Sequence, residues 1–556
     1  MHELARDRLA TAAIILTGVA VALVASRSGS PFTPPLPRGQ VSSWPLRGTV
    51  SVLGIDRLSR GAVAALGAFV LFAAAAAFLF ALRRAWRGGL SVRRVIAVGL
   101  LLHVLALAMP VFLSRDVYSY SFYGRMVSEH GANPYTEVPA SFPSDLAYPF
   151  VSVDWIDSPS VYGPAFTALS AGVTSVASSP EASAFAFKLL AAIASVLTLF
   201  LTVASARRLR PERAAFAAAL VAWNPVVVFH GVAGGHNDAL LGLALGAGVL
   251  GILARRELWA TALLAVGALV KISGAVPLAV AVVGAALRRS DRARTIAVHA
   301  GIAALVAAPF VIPFLQAEDP TLGTLELATR QGWLAPSRFV LTTLRGLARV
   351  VAGETAADVA SLVVRVAFPL VFLWTLIALV RHLARDPSRI SPPVVVAAMG
   401  WAGLISLLVS PVLLPWYAAW VVPIAWLLPR PARGGAVLLS LALAITELVA
   451  EPARSPGLYE AMVFGLHWVA TPVILLVLVR LVLELRRRVA AGPGEGFNDP
   501  LLAEDVAPGG SGTVARAQHV PDRAEDRHSD DRPDASRNEP EAVRGHRGDD
   551  RDGGPD

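Results

Sequence analysis

Apolar runs of about 20 residues recur along this chain from residue 9 to residue 483. A helix of that length crosses the hydrocarbon core of a bilayer, where only helices and closed barrels satisfy their backbone hydrogen bonds. The chain is 55% hydrophobic and only 16% charged, which is too apolar for a soluble protein of this length. The sequence therefore predicts an all-α, polytopic transmembrane protein.

The arginine clusters between the apolar runs predict which side of the membrane each connection occupies. If all the clusters are cytoplasmic, about 14 spanning helices alternate across the cell membrane and both termini are cytoplasmic. The apolar stretch 161–178 would break this alternation, so we interpret it as a re-entrant or interfacial segment. The large outer loops are then 26–61, 114–182 and 316–358.

Composition divides the chain into two parts and excludes several function classes. Residues 1–489 form one transmembrane domain, and residues 490–556 have too few apolar side chains to fold, which predicts a disordered cytoplasmic tail. The absence of cysteine excludes disulfides, thiolate catalysis and cysteine-ligated metals. The net charge of +9 is scattered between apolar segments, as membrane orientation requires, so no nucleic-acid partner is predicted.

The stretch SRDVYSYSFYGRM, residues 114–126, follows an apolar run and places Asp116 at the outer face. A carboxylate there is costly unless it is solvated or functional. The structural alternative is a solvated aspartate at a helix end, paired with Arg115. The tyrosines nearby, including Tyr118, Tyr120 and Tyr162, suit either an interfacial aromatic belt or a sugar-binding surface.

A second polar group occurs in WNPVVVFHGVAGGHNDALL, residues 223–241. The preceding span runs outward, so His236, Asn237 and Asp238 reach the same face as Asp116. Asn237 or Asp238 could simply cap the next helix, but three adjacent polar side chains after Gly-Gly exceed what a cap needs.

The third and fourth polar features are Lys271, in ALVKISG, and the aromatic pair Trp416 and Tyr417, in PWYAAW. Only two of the 49 basic residues are lysines, Lys188 and Lys271. Lys271 lies between two short apolar segments, where it either snorkels to the headgroups or binds an anion at the membrane surface. Trp416 and Tyr417 suit an aromatic belt or a stacking platform.

A carboxylate and a cation on one face predict group transfer from a lipid phosphate. The aspartate would act as general base on an acceptor hydroxyl, and the cation would stabilise the departing phosphate. No ligand spacing favours a zinc site, and no cofactor is predicted.

The chain resembles the GT-C superfamily of polyprenyl-phosphate-sugar-dependent glycosyltransferases, most closely the actinobacterial polyprenol-phosphomannose-dependent α-1,6-mannosyltransferases. The resemblance is carried by SRDVYSYSFYGRM (114–126), NPY (133–135), SPSVYGPAF (158–166), WNPVVVFHGVAGGHNDAL (223–240), ALVKISG (268–274) and PWYAAW (415–420).

The resemblance implies a GT-C fold with an extracytoplasmic site, in which Asp116 is the catalytic residue and Asp238 a second acidic position. Lys271, with Arg115 or Arg125, would hold the donor phosphate. The implied reaction inverts the anomeric centre, moving mannose from polyprenyl-phosphate-mannose to a mannan or glycolipid acceptor in lipomannan-type cell-envelope synthesis. The residues predicted to bind substrate are Tyr118, Tyr120, Tyr162, His236, Asn237, Asp238, Trp416 and Tyr417.

Two alternatives remain from the residues themselves. A transporter or flippase for a lipid-linked sugar would also use interrupted spans, although it should place ionisable residues near mid-membrane. A GT-C transferase of another sugar, such as arabinofuranose, is equally compatible with these motifs.

Overall fold

The computed structural model describes residues 2–37, 44–315, 334–450, 452–494 and 496–504. Within these ranges the regular elements are helical and no strand occurs, which confirms the prediction of an all-α protein. The helices of the first half are α1 (His2–Ser26), α2 (Arg47–Val52), α3 (Arg60–Trp86), α4 (Val92–Ala108), α5 (Asp116–Ser128), α6 (Pro164–Val176), α7 (Pro180–Leu209), α8 (Ala214–Ala222) and α9 (Asp238–Leu253). The others are α10 (Glu257–Val270), α11 (Ala275–Leu287), α12 (Arg292–Val311), α13 (Pro336–Arg385), α14 (Pro392–Val409), α15 (Val422–Ala425), α16 (Arg430–Ala444), α17 (Pro456–Gly465) and α18 (Thr471–Ala490).

The chain is a multi-pass membrane protein. In the described ranges, seven helices are long and apolar enough to cross a bilayer, and a pair of helices bent by 42° would make an eighth span. The bent pair consists of Pro211–Ala222 and the π-helical segment Val226–Ala233. Helices α9, α10 and α11 are apolar but shorter. These lengths do not decide the span count, so about 14 spans stays a prediction.

The helices differ in how deeply they lie in the bundle. In α14, 83% of the most apolar window is buried, whereas in the window that includes α12 only 6% is buried. Large apolar side chains such as Phe69, Leu305 and Leu362 are exposed on the outer surface. A surface with this much exposed apolar area is one that faces lipid rather than water.

The predicted outer loop 114–182 folds into helices that cover one end of the bundle. Helix α6 packs against α5 so closely that a Cβ on Gly124 would lie 2.4 Å from the Ser170 carbonyl oxygen. The amide of Gly163 donates to the Val270 carbonyl (3.1 Å), which ties this loop to the end of α10. At 13 residues, α6 rises only about 20 Å, too short to cross the core as a straight helix.

Two other predicted outer loops contain helix. The loop predicted at 26–61 includes α2. Of the loop predicted at 316–358, residues 316–333 lie outside the described residues, and the part from Pro336 onward belongs to α13 rather than to a loop. Helix α13 is interrupted at Gly353, whose φ of +82° is left-handed, and this kink is where the helix changes direction.

Lys188, on α7, donates hydrogen bonds to the C-terminal end of α4. Its side chain is fully buried and its ammonium donates to the carbonyls of Leu107 (3.3 Å) and Met109. The last carbonyls of a helix have no partner within the helix, and a cation there is favourable. The Trp44 ring covers the same ammonium at 3.9 Å. Lys188 therefore holds the point at which the chain leaves α4 toward Asp116.

The packed part of the chain extends beyond the predicted boundary at residue 490. Residues 496–504, here called the C-terminal strap, bury Leu501 and Leu502 against the bundle. Asp499 of the strap contacts the buried imidazole of His382 (3.1 Å), and the Trp401 indole donates to the Leu501 carbonyl (3.2 Å). Packed residues therefore continue past the boundary predicted at 490 as far as residue 504, and the tail predicted beyond them, from residue 505, lies outside the described residues.

Candidate active site

Asp116 is the first residue of α5, directly after the connection from α4. That connection is fixed by backbone hydrogen bonds from Leu113 to Phe32 (2.7 Å) and from Phe112 to Ala233 (3.3 Å). Leu113 adopts a left-handed φ of +61°, a costly conformation for leucine that persists only where the surroundings enforce it. This strained turn positions Asp116 at the end of the bundle that the loop 114–182 covers.

Asp116 and His236 face each other. The Oδ2 atom of Asp116 lies 3.4 Å from Nδ1 of His236, and the Asp116 side chain is 17% exposed while the imidazole is fully buried. Burial by itself would raise the pKa of the Asp116 carboxyl. The His236 imidazole and the Lys271 ammonium lower this pKa by more than burial raises it, so the pKa lies below its usual value. Asp116 is thus an ionised, partly accessible carboxylate.

The Gly-Gly pair before His236 allows the close approach of two segments. Gly235 has a φ of +69°, and a Cβ there would lie 2.5 Å from Cγ1 of Val117 on α5. A Cβ on Gly234 would lie 2.3 Å from the His230 carbonyl oxygen. Both positions therefore exclude a side chain, and this is why His236 can lie against the start of α5.

Two polar atoms near Asp116 have no partner within the described residues. They are Nε2 of His236 and Nδ2 of Asn237, both buried. Asn237 precedes α9 but makes no side-chain capping bond, so the capping alternative is wrong for this residue. Its Oδ1 instead accepts a long hydrogen bond from the Tyr120 hydroxyl (3.4 Å). Buried polar atoms are normally paired, so these two are available to a ligand.

Aromatic rings enclose the same cluster. Trp416 stacks on the His236 imidazole with ring centroids 3.5 Å apart. Tyr162 packs edge-on against Tyr120 at 4.8 Å. The predicted aromatic residues Tyr120, Tyr162 and Trp416 are therefore brought to the site, and the stack fixes the plane of the imidazole that faces Asp116.

Asp238 and Lys271 form a buried ion pair next to this cluster. The Lys271 ammonium lies 3.0 and 3.1 Å from the two Asp238 oxygens, and the Trp420 indole donates to Asp238 Oδ1 at 2.6 Å. The ammonium also lies 4.1 Å from the Tyr417 ring centroid, and Tyr417 stacks on Trp420. Lys271 is thus held inside the protein by a carboxylate and aromatic rings rather than snorkelling to the headgroups.

Two residues predicted for the site do not reach it. Tyr118 packs on Phe150 at 5.3 Å, on a different side of α5 from Asp116. Arg125 is buried and paired with Asp145 (2.9 Å), about 13 Å along α5 from Asp116. The Arg125 guanidinium is therefore engaged within the outer loop, and the structure does not bring it to the Asp116 cluster.

Arg115 remains close to the site. It immediately precedes Asp116 and is half-buried, and its guanidinium donates to the Pro35 carbonyl oxygen (2.9 Å). No carboxylate among the described residues lies within ion-pair distance of it, so the predicted alternative of an Asp116–Arg115 pair is not formed.

Glu447, which the sequence motifs did not single out, lies three residues beyond Ala444, the last residue of α16. Its carboxylate lies 3.9 Å from Nδ1 of the buried His230. Burial and the negative charge of Asp116 raise the pKa of Glu447 to about 8. Glu447 lines a cavity of about 350 Å³ together with Ser114, Trp416 and Tyr459. A glutamate at the end of an otherwise apolar run is the signal that could have identified it.

With this geometry in place, comparisons with known proteins identify the family. The family described as "Alpha-(1->6)-mannopyranosyltransferase, N-terminal domain" matches residues 10–288, half of the chain. The chain belongs to this family. The matched range contains Asp116, His236, Asp238 and Lys271, whereas Trp416 and Glu447 lie beyond it.

Curated relatives agree with that membership. The chain is 27% identical to alpha-(1->6)-mannopyranosyltransferase A of Mycobacterium tuberculosis over 387 residues, 66% of this chain and 70% of the relative. It is 31% identical to the protein of the same name from Corynebacterium glutamicum over 179 residues, 31% of this chain and 35% of the relative. The chain also matches the crystal structure of ArnT from Cupriavidus metallidurans bound to undecaprenyl phosphate, at 17% sequence identity and a TM-score of 0.38. The match covers 70% of this chain and 76% of the ArnT chain. This similarity is too distant to support an argument.

The predicted enzyme class is therefore confirmed: the protein is a membrane-embedded mannosyltransferase of the superfamily that the motifs resemble. Neither the flippase alternative nor an arabinofuranosyl transferase agrees with the family that the chain matches. The roles of the individual site residues stay predictions.

Proposed function

We propose that this mannosyltransferase moves mannose from polyprenyl-phosphate-mannose to a mannan or glycolipid acceptor at the extracytoplasmic face, forming an α-1,6 linkage. The observation that carries the proposal is the partly accessible carboxylate of Asp116, in a buried cluster that includes the polar atoms of His236 and Asn237 without a partner among the described residues. The names of the curated relatives support the linkage.

The proposed reaction is one displacement with inversion. An acceptor hydroxyl oxygen attacks C1 of the β-linked mannosyl phosphate and loses its proton to Asp116, while the bond from C1 to the phosphate oxygen breaks. Polyprenyl phosphate leaves with the bonding electrons. One general base and no covalent enzyme intermediate are needed, and Asp116 is the carboxylate that would serve as that base.

The departing phosphate requires positive charge. In the proposed complex Arg115 supplies it, because it immediately precedes Asp116 in the chain and its guanidinium has no carboxylate partner within the described residues. Lys271 is the second contact, since an ammonium has three donors and Asp238 accepts from only part of them.

The acceptor is proposed to enter through the 350 Å³ cavity lined by Glu447, Trp416 and Tyr459. An aromatic ring offers a flat apolar face to a sugar, and a protonated carboxylic acid donates one hydrogen bond to a sugar oxygen. Ser114 lines the same cavity and accepts the hydrogen bond from the Asp116 amide (3.1 Å), so the cavity leads to the base.

The decisive experiment is an assay of the purified protein with radiolabelled polyprenyl-phosphate-mannose and an α-mannan acceptor. We expect radioactivity to enter the acceptor and to be released by α-mannosidase. A labelled product that resists α-mannosidase would contradict the inverting scheme, and the absence of transfer with this donor would contradict the donor assignment.

The pH dependence of acceptor binding tests the role of Glu447. Because the pKa of this carboxyl is about 8, the donating acid form prevails below that pH and is lost above it. The KM for acceptor should therefore rise as pH passes 8, while the KM for donor stays level. In Glu447→Gln, whose amide donates at every pH, the acceptor KM should not change across this range. An unchanged profile in the wild type would remove Glu447 from the acceptor site.

Single-cysteine labelling tests the proposed orientation, since the native chain has no cysteine. Exposed positions at the covered end, Leu146→Cys and Asp157→Cys, should react with an impermeant maleimide added outside intact cells. Arg207→Cys and Arg292→Cys, both exposed at the opposite end, should react only after permeabilisation. The reverse pattern would place the site on the cytoplasmic side.

A further inference from the structure

A basic groove lies between α3 and α16, at the other end of the bundle from Asp116. It is a cavity of about 530 Å³, within the size range of ligand sites. Helix α16 begins at the basic end of the groove with Arg430 and ends three residues before Glu447, so its length places Arg430 about 22 Å from the end of the helix that precedes Glu447. Its basic end is lined by Arg83, Arg87, Arg430 and Arg433 around Trp86, and its apolar wall includes Leu79, Leu438 and Leu441.

The arginines around the groove divide into paired and unpaired residues. Arg84 points away from it and pairs with Asp7 (2.7 Å), and Arg433 pairs with Glu504 of the C-terminal strap (3.1 Å). In contrast, no carboxylate within the described ranges lies in ion-pair distance of Arg83, Arg87 or Arg430, which are exposed. Three positive charges that the described residues do not neutralise therefore meet at one end of the groove.

Trp86 forms the floor at this basic end. The guanidinium of Arg213 lies 3.2 Å from its ring centroid and that of Arg433 lies 4.0 Å from it, while Phe216 packs edge-on at 4.9 Å. An indole held between two guanidinium groups is rigid. The added positive charge makes this floor attractive to an anion.

The rest of the groove is apolar and open. Its wall consists of side chains such as Leu79, Leu438 and Leu441, and Leu438 is 42% exposed. At Gly434, which also lines the cavity, an added Cβ would meet no atom within 4 Å. An inorganic anion would gain no binding free energy from this apolar wall. An amphiphile would gain binding free energy from the arginines through its anionic group and from the wall through its apolar chain.

We propose that the basic groove binds one anionic glycerophospholipid of the surrounding bilayer. Its phosphate lies among Arg83, Arg87 and Arg430, and one acyl chain follows Leu438 and Leu441. Basic pockets between transmembrane helices bind anionic headgroups for the same electrostatic reason. The site is separate from the donor site at Asp116 and serves no step of the transfer reaction.

Native mass spectrometry of the purified full chain in detergent tests the proposal. Phosphatidylglycerol and phosphatidylcholine of identical acyl chains are titrated separately. The wild type should bind the first phosphatidylglycerol roughly tenfold or more tightly than phosphatidylcholine. Arg83→Gln/Arg430→Gln should abolish this preference, and the matched control Arg207→Gln/Arg208→Gln, which removes two exposed arginines outside the groove, should keep it.

Gly434→Leu tests whether the groove itself, rather than general positive surface charge, binds the lipid. The new side chain enters open space, so the fold and all arginines are kept, and the first phosphatidylglycerol should be lost while the melting temperature in lipid-free detergent stays the same. Equal binding of the two lipids by the wild type, or unchanged binding in Gly434→Leu, would overturn the proposal. Full competition by millimolar inorganic phosphate would also overturn it, in favour of a simple anion site. None of these readouts depends on mannosyl transfer, so they are independent of the proposed function.

Discussion

Replacing Asp116 by asparagine should lower the turnover of mannosyl transfer by roughly 10²–10⁴-fold, the usual contribution of a general base. The amide keeps the size of the side chain but cannot take the proton from the hydroxyl group of the acceptor sugar. Steady-state assays of the purified variant measure this directly, and donor binding should stay near the wild-type value. Asp116→Ala should be at least as severe.

Two matched variants accompany this measurement. Asp157→Asn removes an exposed carboxylate from the same outer loop and should leave turnover almost unchanged. Tyr118→Phe, on the side of α5 away from Asp116, should do the same. Near-normal transfer by Asp116→Asn would show that the base is another group, and Asp238 would be the next to test.

Breaking the buried pair between Lys271 and Asp238 should have the largest effect on stability. Removing one partner of a buried ion pair leaves an uncompensated charge, at a cost of about 3–5 kcal/mol. Lys271→Met and Asp238→Asn should each lower the thermal unfolding temperature strongly. The double variant should lose much less than the sum of the two, because neither charge then remains buried alone.

The same variants separate stability from function. If Lys271 also contacts the donor phosphate, the double variant should fold but show a raised KM for polyprenyl-phosphate-mannose and an unchanged KM for acceptor. If the loss of stability in the double variant equals the sum of the losses in the two single variants, the two charges do not stabilise each other. An unchanged donor KM would leave Lys271 a purely structural residue.

The sequence alone predicts the main members of the site because the membrane makes them conspicuous. Asp116, His236, Asp238 and Lys271 are polar residues at the ends of apolar runs, where each needs a reason to be present. Their pairing could not be read from the chain. Asp238 and Lys271 are 33 residues apart, and only the packing of α9 against α10 brings them together.

The errors have identifiable physical causes. Asp116 and Tyr120 are four residues apart and share one side of α5, whereas Tyr118 lies on another, so helical spacing could have excluded it. Arg125 was assigned by its charge, but its partner Asp145 comes from a loop without regular pattern. Glu447 was hidden in an apolar run that suggested a continuing span. Leu501 and Leu502 are too short an apolar stretch to be noticed by hydropathy.

The C-terminal strap also has a consequence for how the protein is made. The Trp401 indole donates to a carbonyl 100 residues further along the chain, and the strap likewise supplies partners to His382 and Arg433. At about 5–20 residues per second, the ribosome needs roughly 5–20 s to add those 100 residues. During that interval α13, α14 and α16 lack hydrogen-bond partners that they have in the finished fold. Their final packing is therefore completed only after the last helix, α18, has been synthesised.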